Sequence, residues 1–484
     1  MLFNSYIFLF LMLPLTLALY YGLNKIRQPK LALISLLGMS LWFYGYFNPS
    51  YLIILCSSIL INWFLSLGMR KYAIKKFFLS LGLIFNIGLI FYFKYFDFFI
   101  NNLNTLFSGN LPLMNILLPL GISFFTFQQI SYIIDSYHGK TDAYHFLEYA
   151  VFVAFFPQLI AGPIVLHDEL IPQLSDETKK HFDFEYFSKG LYIFSIGLFK
   201  KVIVADSLAI IVSSLWGGAE SDFTSMSAWI AALSYTFQLY YDFSGYSDMA
   251  IGLGCMFNFT LPINFNSPYK ACSISEFWER WHITLSRFLR QYVYFGLGGS
   301  RKGKVRTYIN FFMVFFVSGL WHGANWTFIV WGILQGIANT LEKFLHTPLE
   351  KLPRFIRWVF TFGFFIFSVM IFRADSLTQG FTIIKKMIFI DGFSIGEPFM
   401  TDYVLPKITP LLTLLSPLQI SDNTIGLLCF AVVFFCITLF TVKVPNIHEK
   451  EFKPTYLNAF ITVAACIASI VSLSTFSTFL YFNF

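Results

Sequence analysis

The chain has 484 residues, of which 57% are hydrophobic, 20% are aromatic and only 12% are charged. A soluble domain carries about twice that fraction of charged residues, so this composition excludes an ordinary soluble globular protein. Apolar runs long enough to cross a bilayer recur along the chain, which predicts an all-α polytopic membrane protein. The net charge of +7 does not require a nucleic-acid partner, because excess Lys and Arg normally mark the cytoplasmic loops of membrane proteins.

The N-terminal apolar run, from Leu2 to Leu23, has no Lys or Arg before it. A cleavable signal peptide has a basic segment ahead of its apolar one, so we interpret this run as a retained span. The six cysteines are scattered, mostly in apolar segments, without the spacing of a metal or redox site. We therefore predict no bound metal and no disulfide framework.

The charges of the turns between apolar runs predict a topology. A basic turn at residues 25–30 is followed by the uncharged turn 48–50 and then by a second basic turn at 70–76. This alternation predicts an external amino terminus and cytosolic basic loops. Downstream, prolines interrupt residues 156–164, which we interpret as a broken, polar segment at membrane depth. The alternative is a simple loop where the chain leaves the bilayer.

Two later spans are predicted at residues 355–372 and 425–442. The segment between them, about 373–423, is broken by several prolines and glycines. We predict that it forms an external loop with interfacial helices, although its lysines count against an external position.

The segment 238–249, QLYYDFSGYSDM, places two carboxylates in an apolar setting. Asp242 and Asp248 are six residues apart, which is about 240° around a helix, so they do not form a paired acid–base device. We predict a polar cluster of Asp242 with Gln238 and Tyr246, and assign Asp242 and Tyr246 to substrate binding. The alternative is close helix packing through the small residues at 244–247.

The segment 273–292 combines a serine helix cap with a basic side. Arg280, Arg287 and Arg290 supply that side, and tryptophans and leucines supply the apolar one. Because arginine forks suit phosphate, we predict that these three residues bind a phosphate-bearing or acidic donor. The alternative is anchoring at the lipid headgroups. His282, in the same segment, either takes part in the site or lies at the interface.

Residues 309–338 are expected to enter and leave the membrane on the cytosolic side, because basic loops flank them at 301–306 and 343–354. Each apolar arm, 309–320 and 327–338, covers about 18 Å, whereas a hydrocarbon core is about 30 Å thick. We predict a re-entrant hairpin with Trp321-His322-Gly323 at its tip. One long tilted span is the alternative.

His322 is the side chain of this stretch that titrates near neutral pH. Burial disfavours the charged imidazolium, and a neutral imidazole in a dry site can take a proton from a hydroxyl. Gly319 and Gly323 would allow close approach of backbone or substrate. The alternative is a histidine that hydrogen-bonds between helices, but ionisable residues at membrane depth are first considered functional.

Six motifs between about Leu117 and Gly336 occur in an order that resembles the membrane-bound O-acyltransferases of the bacterial alginate O-acetylase type. They are PLGISFFTFQQISYIID from Pro119, FPQLIAGPI from Phe156, QLYYDFSGYSDMAIG from Gln238, PINFNSPY from Pro262, EFWERWHITLSRFLRQYVY from Glu276 and GLWHGANWTFIVWG from Gly319. The resemblance implies many helices around a thinned centre with a tunnel. It implies catalysis by His322, with His282 implicated in activity, and we predict Trp321 and Asn325 as substrate contacts.

We accordingly divide the chain into N-terminal transmembrane helices (1–116), a catalytic core (117–340) and C-terminal transmembrane helices (341–484). The resemblance implies an O-acetyltransferase of the cytoplasmic membrane with no permanently bound cofactor and with acetyl-CoA as cytosolic donor. A separate extracytoplasmic acetyltransferase would complete transfer to the glycan. We predict Phe393, Phe399 and Tyr403 as aromatic anchors for its docking. The alternative is that these aromatics only hold the loop in the headgroup region.

Acceptors differ within the family. The Ile-, Phe- and Lys-rich composition suggests an AT-rich genome, whereas alginate-making bacteria are typically GC-rich. This association, which is not chemistry, favours peptidoglycan over alginate or another exopolysaccharide. Two other classes are alternatives. A transporter of an envelope precursor is expected to have corresponding interrupted segments in its two halves, and none is evident. A scaffold for polysaccharide export would not need His322.

Overall fold

A computed structural model describes residues 1–141, 144–216, 223–345, 348–349, 351–397, 399–415, 420–473 and 480. Within these ranges the regular elements are α-, π- and 3₁₀-helices. Five helical stretches are long and apolar enough to cross a membrane: Phe8–Lys25, Ser50–Lys71, Lys75–Phe107, Arg354–Arg373 and Asp422–Lys443. These stretches confirm the all-α polytopic class and the predicted spans at 355–372 and 425–442.

The N-terminal part consists of helices that pack on their neighbours in the chain, α1 on α2 and α3 on α4. They are α1 (Leu13–Lys25), α2 (Pro29–Gly45), α3 (Ser50–Lys71), α4 (Lys75–Ile90) and α5 (Phe96–Phe107). The π-helical turn Phe8–Met12 precedes α1, and a second one, Phe91–Tyr95, joins α4 to α5.

The central part contains the longest and most buried helix, α12, which has 32 residues. Its elements are α6 (Ile122–Tyr137), α7 (Phe146–Ala154), α8 (Phe156–Leu159), α9 (His167–Ser175), α10 (Phe184–Phe199), α11 (Asp206–Trp216), α12 (Ser225–Met256), α13 (Ile274–Arg280), α14 (Ile283–Phe288), α15 (Lys304–His322) and α16 (Trp326–Phe344). Short connecting helices are Glu177–Lys180, Lys200–Ala205, Pro268–Lys270 and Leu289–Tyr294.

Glycines allow α10 and α12 to approach closely. A Cβ atom added to Gly197 would lie 2.6 Å from the carbonyl oxygen of Gly245, and one added to Gly190 would lie 2.6 Å from that of Gly252. Close backbone contact through small residues is the packing alternative considered for residues 244–247. The GYSD segment therefore packs α12 closely against α10. The assignment of Asp242 to substrate binding stays a prediction.

The C-terminal part contains the two predicted spans and, between them, short helices. Its elements are α17 (Arg354–Arg373), α18 (Leu377–Ile388), the π-helix Met400–Val404, α19 (Leu405–Leu415), α20 (Asp422–Lys443) and α21 (Tyr456–Val471). Short helices between the spans agree with the predicted interfacial segment. The side of the membrane on which they lie stays a prediction.

The segment 273–292 begins with the predicted helix cap but does not form one continuous helix. Ser273 Oγ accepts a hydrogen bond from Glu276 N at 3.0 Å, which confirms the cap. However, α13 ends at Arg280, and His282 adopts the left-handed conformation with φ 44° and ψ 53°. A left-handed non-glycine residue persists only when its surroundings hold it, so this break indicates a constrained position.

The proline-broken segment 156–164 is packed inside the protein and does not form an exposed loop. Ile164 N donates to Thr284 Oγ1 at 2.9 Å, and Ile164 O accepts from Arg287 Nη2 at 3.1 Å. Prolines leave irregular backbone, and buried backbone groups need partners. Here α14 supplies those partners from a distant part of the chain.

Candidate active site

The helices α15 and α16 form a hairpin whose tip is Gly323-Ala324-Asn325. Each arm has 19 residues, about 28 Å. The arms exceed the predicted 18 Å because both helices continue through polar residues at 304–308 and 339–344. The arms pack side by side, and Gly319 and Gly332 touch where they cross. Residues 304–344 are therefore not one continuous helix, while entry and return on the cytosolic side stay a prediction.

His322 is the last residue of α15 and lies in a cage of aromatic rings. Its ring centroid is 4.7 Å from that of Trp321, 5.1 Å from that of Trp331 and 5.0 Å from that of Phe372. The His322 side chain is buried, and its Nδ1 has no hydrogen-bond partner among the described residues. An unpaired buried nitrogen is costly, so such an atom in a native site calls for a functional explanation.

His282 is held in one tautomer by Asn264, a residue that the sequence analysis did not single out. Asn264 Oδ1 lies 3.0 Å from His282 Nδ1, 2.9 Å from Thr284 Oγ1 and 3.3 Å from Thr284 N. A backbone N–H can only donate, so the asparagine atom at this point is the oxygen, and His282 Nδ1 must carry the proton that it accepts. Nε2 of His282 therefore has a lone pair, and it is buried without a hydrogen-bond partner among the described residues.

The two predicted histidines meet at Trp321. The His282 ring centroid lies 5.7 Å from that of Trp321, which in turn contacts His322. Phe124 and Phe127 of α6 pack against the same indole at 5.8 and 5.6 Å. The break in the helix at His282 makes this arrangement possible, because it turns the imidazole toward the hairpin. The structure thus brings His282, Trp321 and His322 into one site.

A narrow apolar cavity of about 30 Å³ lies beside His322. A cavity of this size holds about two waters, so it suits a small group. Its lining residues are Leu239, Asp242, Phe243, Trp281, His322, Trp331, Phe365, Val369, Phe372 and Leu480.

Asp242 reaches this cavity, but with partners that the sequence did not predict. Lys201 Nζ lies 2.6 Å from Asp242 Oδ1, and Leu480 N donates to Asp242 Oδ2 at 3.0 Å. The predicted cluster with Gln238 is replaced by this ion pair, because a buried carboxylate needs a charged partner and Lys201 lies on the adjacent π-helix. Asp248 pairs separately with Lys200 at 2.6 Å and His448 at 2.9 Å, as expected for carboxylates on different faces.

Two other predicted substrate contacts have structural partners in this state. The Asn325 side chain accepts from Thr327 N at 3.0 Å, which caps α16, and donates to Asp375 O at 3.2 Å. Tyr246 is buried and stacks on Phe3 with a centroid distance of 4.7 Å. Neither residue lines the cavity beside His322. Their assignment to substrate binding stays a prediction.

Two of the three predicted arginines form ion pairs, and the third is exposed. Arg287 donates to Glu169 Oε2 at 2.8 Å, and Arg280 donates through Nε to Glu276 Oε1 at 3.0 Å. Arg290 is exposed, and no ion pair holds it among the described residues. It lines a second cavity of about 350 Å³, together with the ion-paired Arg287, Trp278 and Ser318.

These two cavities are neighbours. The Trp278 ring lines the larger one and lies 5.8 Å from Trp331, which lines the smaller one beside His322. A hydrogen bond at 3.3 Å from Trp278 Nε1 to Gln335 Oε1 fixes the indole against the hairpin. The wall between the two cavities is therefore made of aromatic side chains, one of which is hydrogen-bonded in place.

The family model for the membrane-bound O-acyltransferases matches residues 52–384, which is more than half of the chain. The chain belongs to the membrane-bound O-acyltransferase family. It is 42% identical over 428 residues to a peptidoglycan O-acetyltransferase of Helicobacter pylori, covering 82% of this chain and 81% of the relative. It is 41% identical over 422 residues to a probable alginate O-acetylase of Azotobacter vinelandii, covering 85% and 82%.

A more distant relative is the teichoic acid D-alanyltransferase of Bacillus subtilis, at 27% identity over 283 residues, which cover 54% of this chain and 70% of the relative. The family match confirms the resemblance drawn from the six motifs. Together with the candidate spans, it makes this O-acyltransferase a multi-pass protein of the bacterial cytoplasmic membrane.

Proposed function

We propose that this O-acyltransferase takes acetyl groups from cytosolic acetyl-CoA and passes them across the membrane for O-acetylation of an envelope glycan, with peptidoglycan as the first candidate acceptor. The observation that carries the proposal is the meeting of His282 and His322 at Trp321, beside a cavity sized for a small acyl group. The similarity to O-acetyltransferases over most of the chain supports the acetyl group.

His322 acts in this proposal as the general base. Its neutral imidazole accepts the proton of the hydroxyl that first receives the acetyl group, which in the two-component scheme belongs to the extracytoplasmic partner, while that hydroxyl oxygen attacks the acetyl carbonyl carbon. The carbon–sulfur bond of the thioester then breaks, and the proton on His322 passes to the leaving thiolate. No net proton is taken up or released. In the covalent variant, a nitrogen of His322 attacks the carbonyl carbon first, and the carbon–sulfur bond breaks to release the thiolate. The acceptor hydroxyl oxygen then attacks the acetyl carbon, the bond to the His322 nitrogen breaks, and the hydroxyl proton passes through the freed imidazole to the thiolate.

His282 supports the same reaction from the other side of Trp321. Its Nδ1–H is committed to Asn264, so its Nε2 is a hydrogen-bond acceptor in a dry site. Such an acceptor suits the orientation of a hydroxyl before proton transfer. The aromatic cage around His322 keeps water away, which limits hydrolysis of the acyl donor.

The larger cavity is the proposed donor site. Arg290 is the available cation of the predicted cluster, and the phosphates of acetyl-CoA would match it. Trp278 and Ser318 line the same cavity on the side of the hairpin. The thioester end of the donor would then point toward His322 past the Trp278–Trp331 wall.

A separate extracytoplasmic acetyltransferase is the proposed recipient of the acetyl group. Of the three aromatic anchors predicted for its docking, Phe393 is exposed. Phe399 is buried and stacks on Tyr403 at 5.1 Å and on Phe430 at 6.1 Å, so it does not serve as an anchor in this state. Apolar packing against α20 accounts for its burial. Phe393 is therefore the proposed contact.

Acetyl transfer from labelled acetyl-CoA by the purified protein in nanodiscs tests the proposed function. His322→Gln and His322→Ala should lose turnover while staying folded, because one buried polar group is lost without a large cavity. The exposed residue His138 provides a matched control, and His138→Gln should retain full turnover. Substantial turnover by folded His322→Gln would contradict the base assignment.

The same assay distinguishes the remaining alternatives. Label that stays on the protein after denaturation at neutral pH, and is lost in His322→Gln, would identify the covalent route. Peptidoglycan and alginate fragments offered in parallel, with and without the extracytoplasmic partner, identify the acceptor. Full glycan acetylation by this chain alone would contradict the two-component scheme.

A further inference from the structure

A lysine far from the histidine motifs contacts the backbone of the proposed base. Lys94 Nζ donates to Trp321 O at 2.7 Å and to His322 O at 2.8 Å. The adjacent Tyr95 OH donates to Leu320 O. Three consecutive carbonyl groups at the end of α15 therefore receive their hydrogen bonds from two consecutive side chains of another helix.

These carbonyls need an outside donor. The last four carbonyl groups of an α-helix have no partner within the helix. In many helices, a left-handed residue just after the end turns the chain back so that backbone N–H groups donate to those carbonyls. Gly323 is instead extended, with φ −171° and ψ 161°. The chain thus leaves α15 without a local cap, and Lys94 and Tyr95 replace it.

Both hydrogen-bond donors belong to a π-helical turn. Lys94 and Tyr95 lie in Phe91–Tyr95, between α4 and α5. Single π-turns inside α-helices frequently occur at functional sites. The acid nearest to Lys94 in sequence, Asp97, accepts instead from Met114 N at 2.8 Å and Ile116 N at 3.3 Å. The hydrogen bonds of Lys94 Nζ to described residues go to the two carbonyls of the hairpin.

We propose that Lys94 is a positioning residue for the proposed base, which makes this inference rest on the role of His322 given above. By holding the carbonyls of residues 321 and 322, it fixes the end of α15 from which the imidazole projects. In its protonated form, Lys94 also interacts favourably with the negative end of the helix dipole. Without it the last turn frays, and the ring loses its place between Trp331 and Phe372.

The experiment compares Lys94→Met, which keeps the length and removes the donors, with Lys94→Arg, which keeps charge and donors. Lys343→Met is the matched control, since Lys343 lies on α16 near its far end and contacts the Phe311 ring at 3.9 Å. The purified variants are assayed in nanodiscs for kcat and donor KM. Hydrogen exchange of the amides in residues 317–323 reports the last turn of α15 directly.

Lys94→Met is expected to lower kcat by about 10- to 100-fold, the scale of a 1 Å misplacement, with donor KM changed less than about twofold. Exchange should rise in residues 317–323 and not elsewhere in α15. Lys94→Arg should restore most of kcat, and Lys343→Met should match the wild type. Tyr95→Phe, which removes one donor, should give a smaller change in the same direction.

Wild-type kcat in folded Lys94→Met would overturn the proposal. So would a loss that Lys94→Arg does not relieve, or faster exchange spread evenly over the protein, since either would indicate a general packing role. A failure of the proposed function can be distinguished from a failure of the Lys94 proposal. If His322→Gln keeps its turnover, the base assignment falls, whereas the exchange of residues 317–323 still shows whether Lys94 caps α15.

Discussion

The contact between Asn264 and His282 gives the sharpest prediction outside the histidines themselves. Replacing Asn264 by Leu keeps the volume and removes the oxygen that accepts from His282 Nδ1, Thr284 Oγ1 and Thr284 N. Each buried donor left without a partner costs about 1–3 kcal/mol, so three together cost about 3 kcal/mol or more of folding free energy. The substitution should therefore lower the unfolding temperature.

The effect on catalysis is separable from this loss of stability. Without the oxygen of Asn264, the His282 ring is free to carry its proton on Nε2, and the lone pair beside Trp321 is lost. Positioned acid–base groups contribute about 10²- to 10⁴-fold to rate, and a loss of kcat in that range is expected. Asn264→Asp keeps an acceptor for the same donors and should retain much more activity than Asn264→Leu.

The assay is kcat and donor KM of the purified variants, each measured well below its unfolding temperature. Asn62→Leu is the matched control, because Asn62 is buried and its Oδ1 accepts from Asn86 Nδ2 at 2.6 Å, between α3 and α4. That variant should lose stability and keep kcat. If folded Asn264→Leu turns over within about threefold of the wild type, the tautomer of His282 does not matter for catalysis, and the reasoning from Asn264 fails.

Two further predictions concern the donor side and the topology. Arg290→Gln should raise the donor KM more than it lowers kcat, because Arg290 is the available cation of the larger cavity, whereas Arg287→Gln should mainly lower the unfolding temperature by breaking the pair with Glu169. An unchanged donor KM in Arg290→Gln would favour simple headgroup anchoring. Cysteines placed at Ser300 and Lys351 should react with an impermeant reagent only after the cytosolic face is opened, and one at Asp422 should react in intact cells. Labelling of positions 300 and 351 from opposite faces would contradict the hairpin topology.

Much of the architecture was predictable because it depends on local composition. The length of apolar runs locates the spans at 355–372 and 425–442, and the structure confirms both. The apolar stretches around Trp321-His322-Gly323 likewise predict two arms and a tip. The arms prove longer than the apolar stretches, since hydropathy alone ignores the polar residues that extend a helix at each end.

The candidate site was predictable only where a motif carries it. Both histidines stand in motifs that resemble the family, whereas no sequence pattern identifies the partners that orient them. Asn264 lies in a quoted motif, yet spacing could not indicate that its side chain accepts from His282. The same holds for Arg287, whose basic character predicts a ligand-binding role although a distant carboxylate engages it.

What only the tertiary structure decided are the pairings between side chains far apart in the chain. Lys94 meets the carbonyls of residues 321 and 322 across more than two hundred positions, and Lys201 meets Asp242 from a neighbouring helix. Sequence by itself determined which segments are apolar and long enough to cross a membrane, because transfer from water depends on each segment alone. Its motifs predicted the two histidines of the candidate site. The choice of partners depends on which buried polar groups come within hydrogen-bond distance once the helices pack, and only the packed structure specifies those distances.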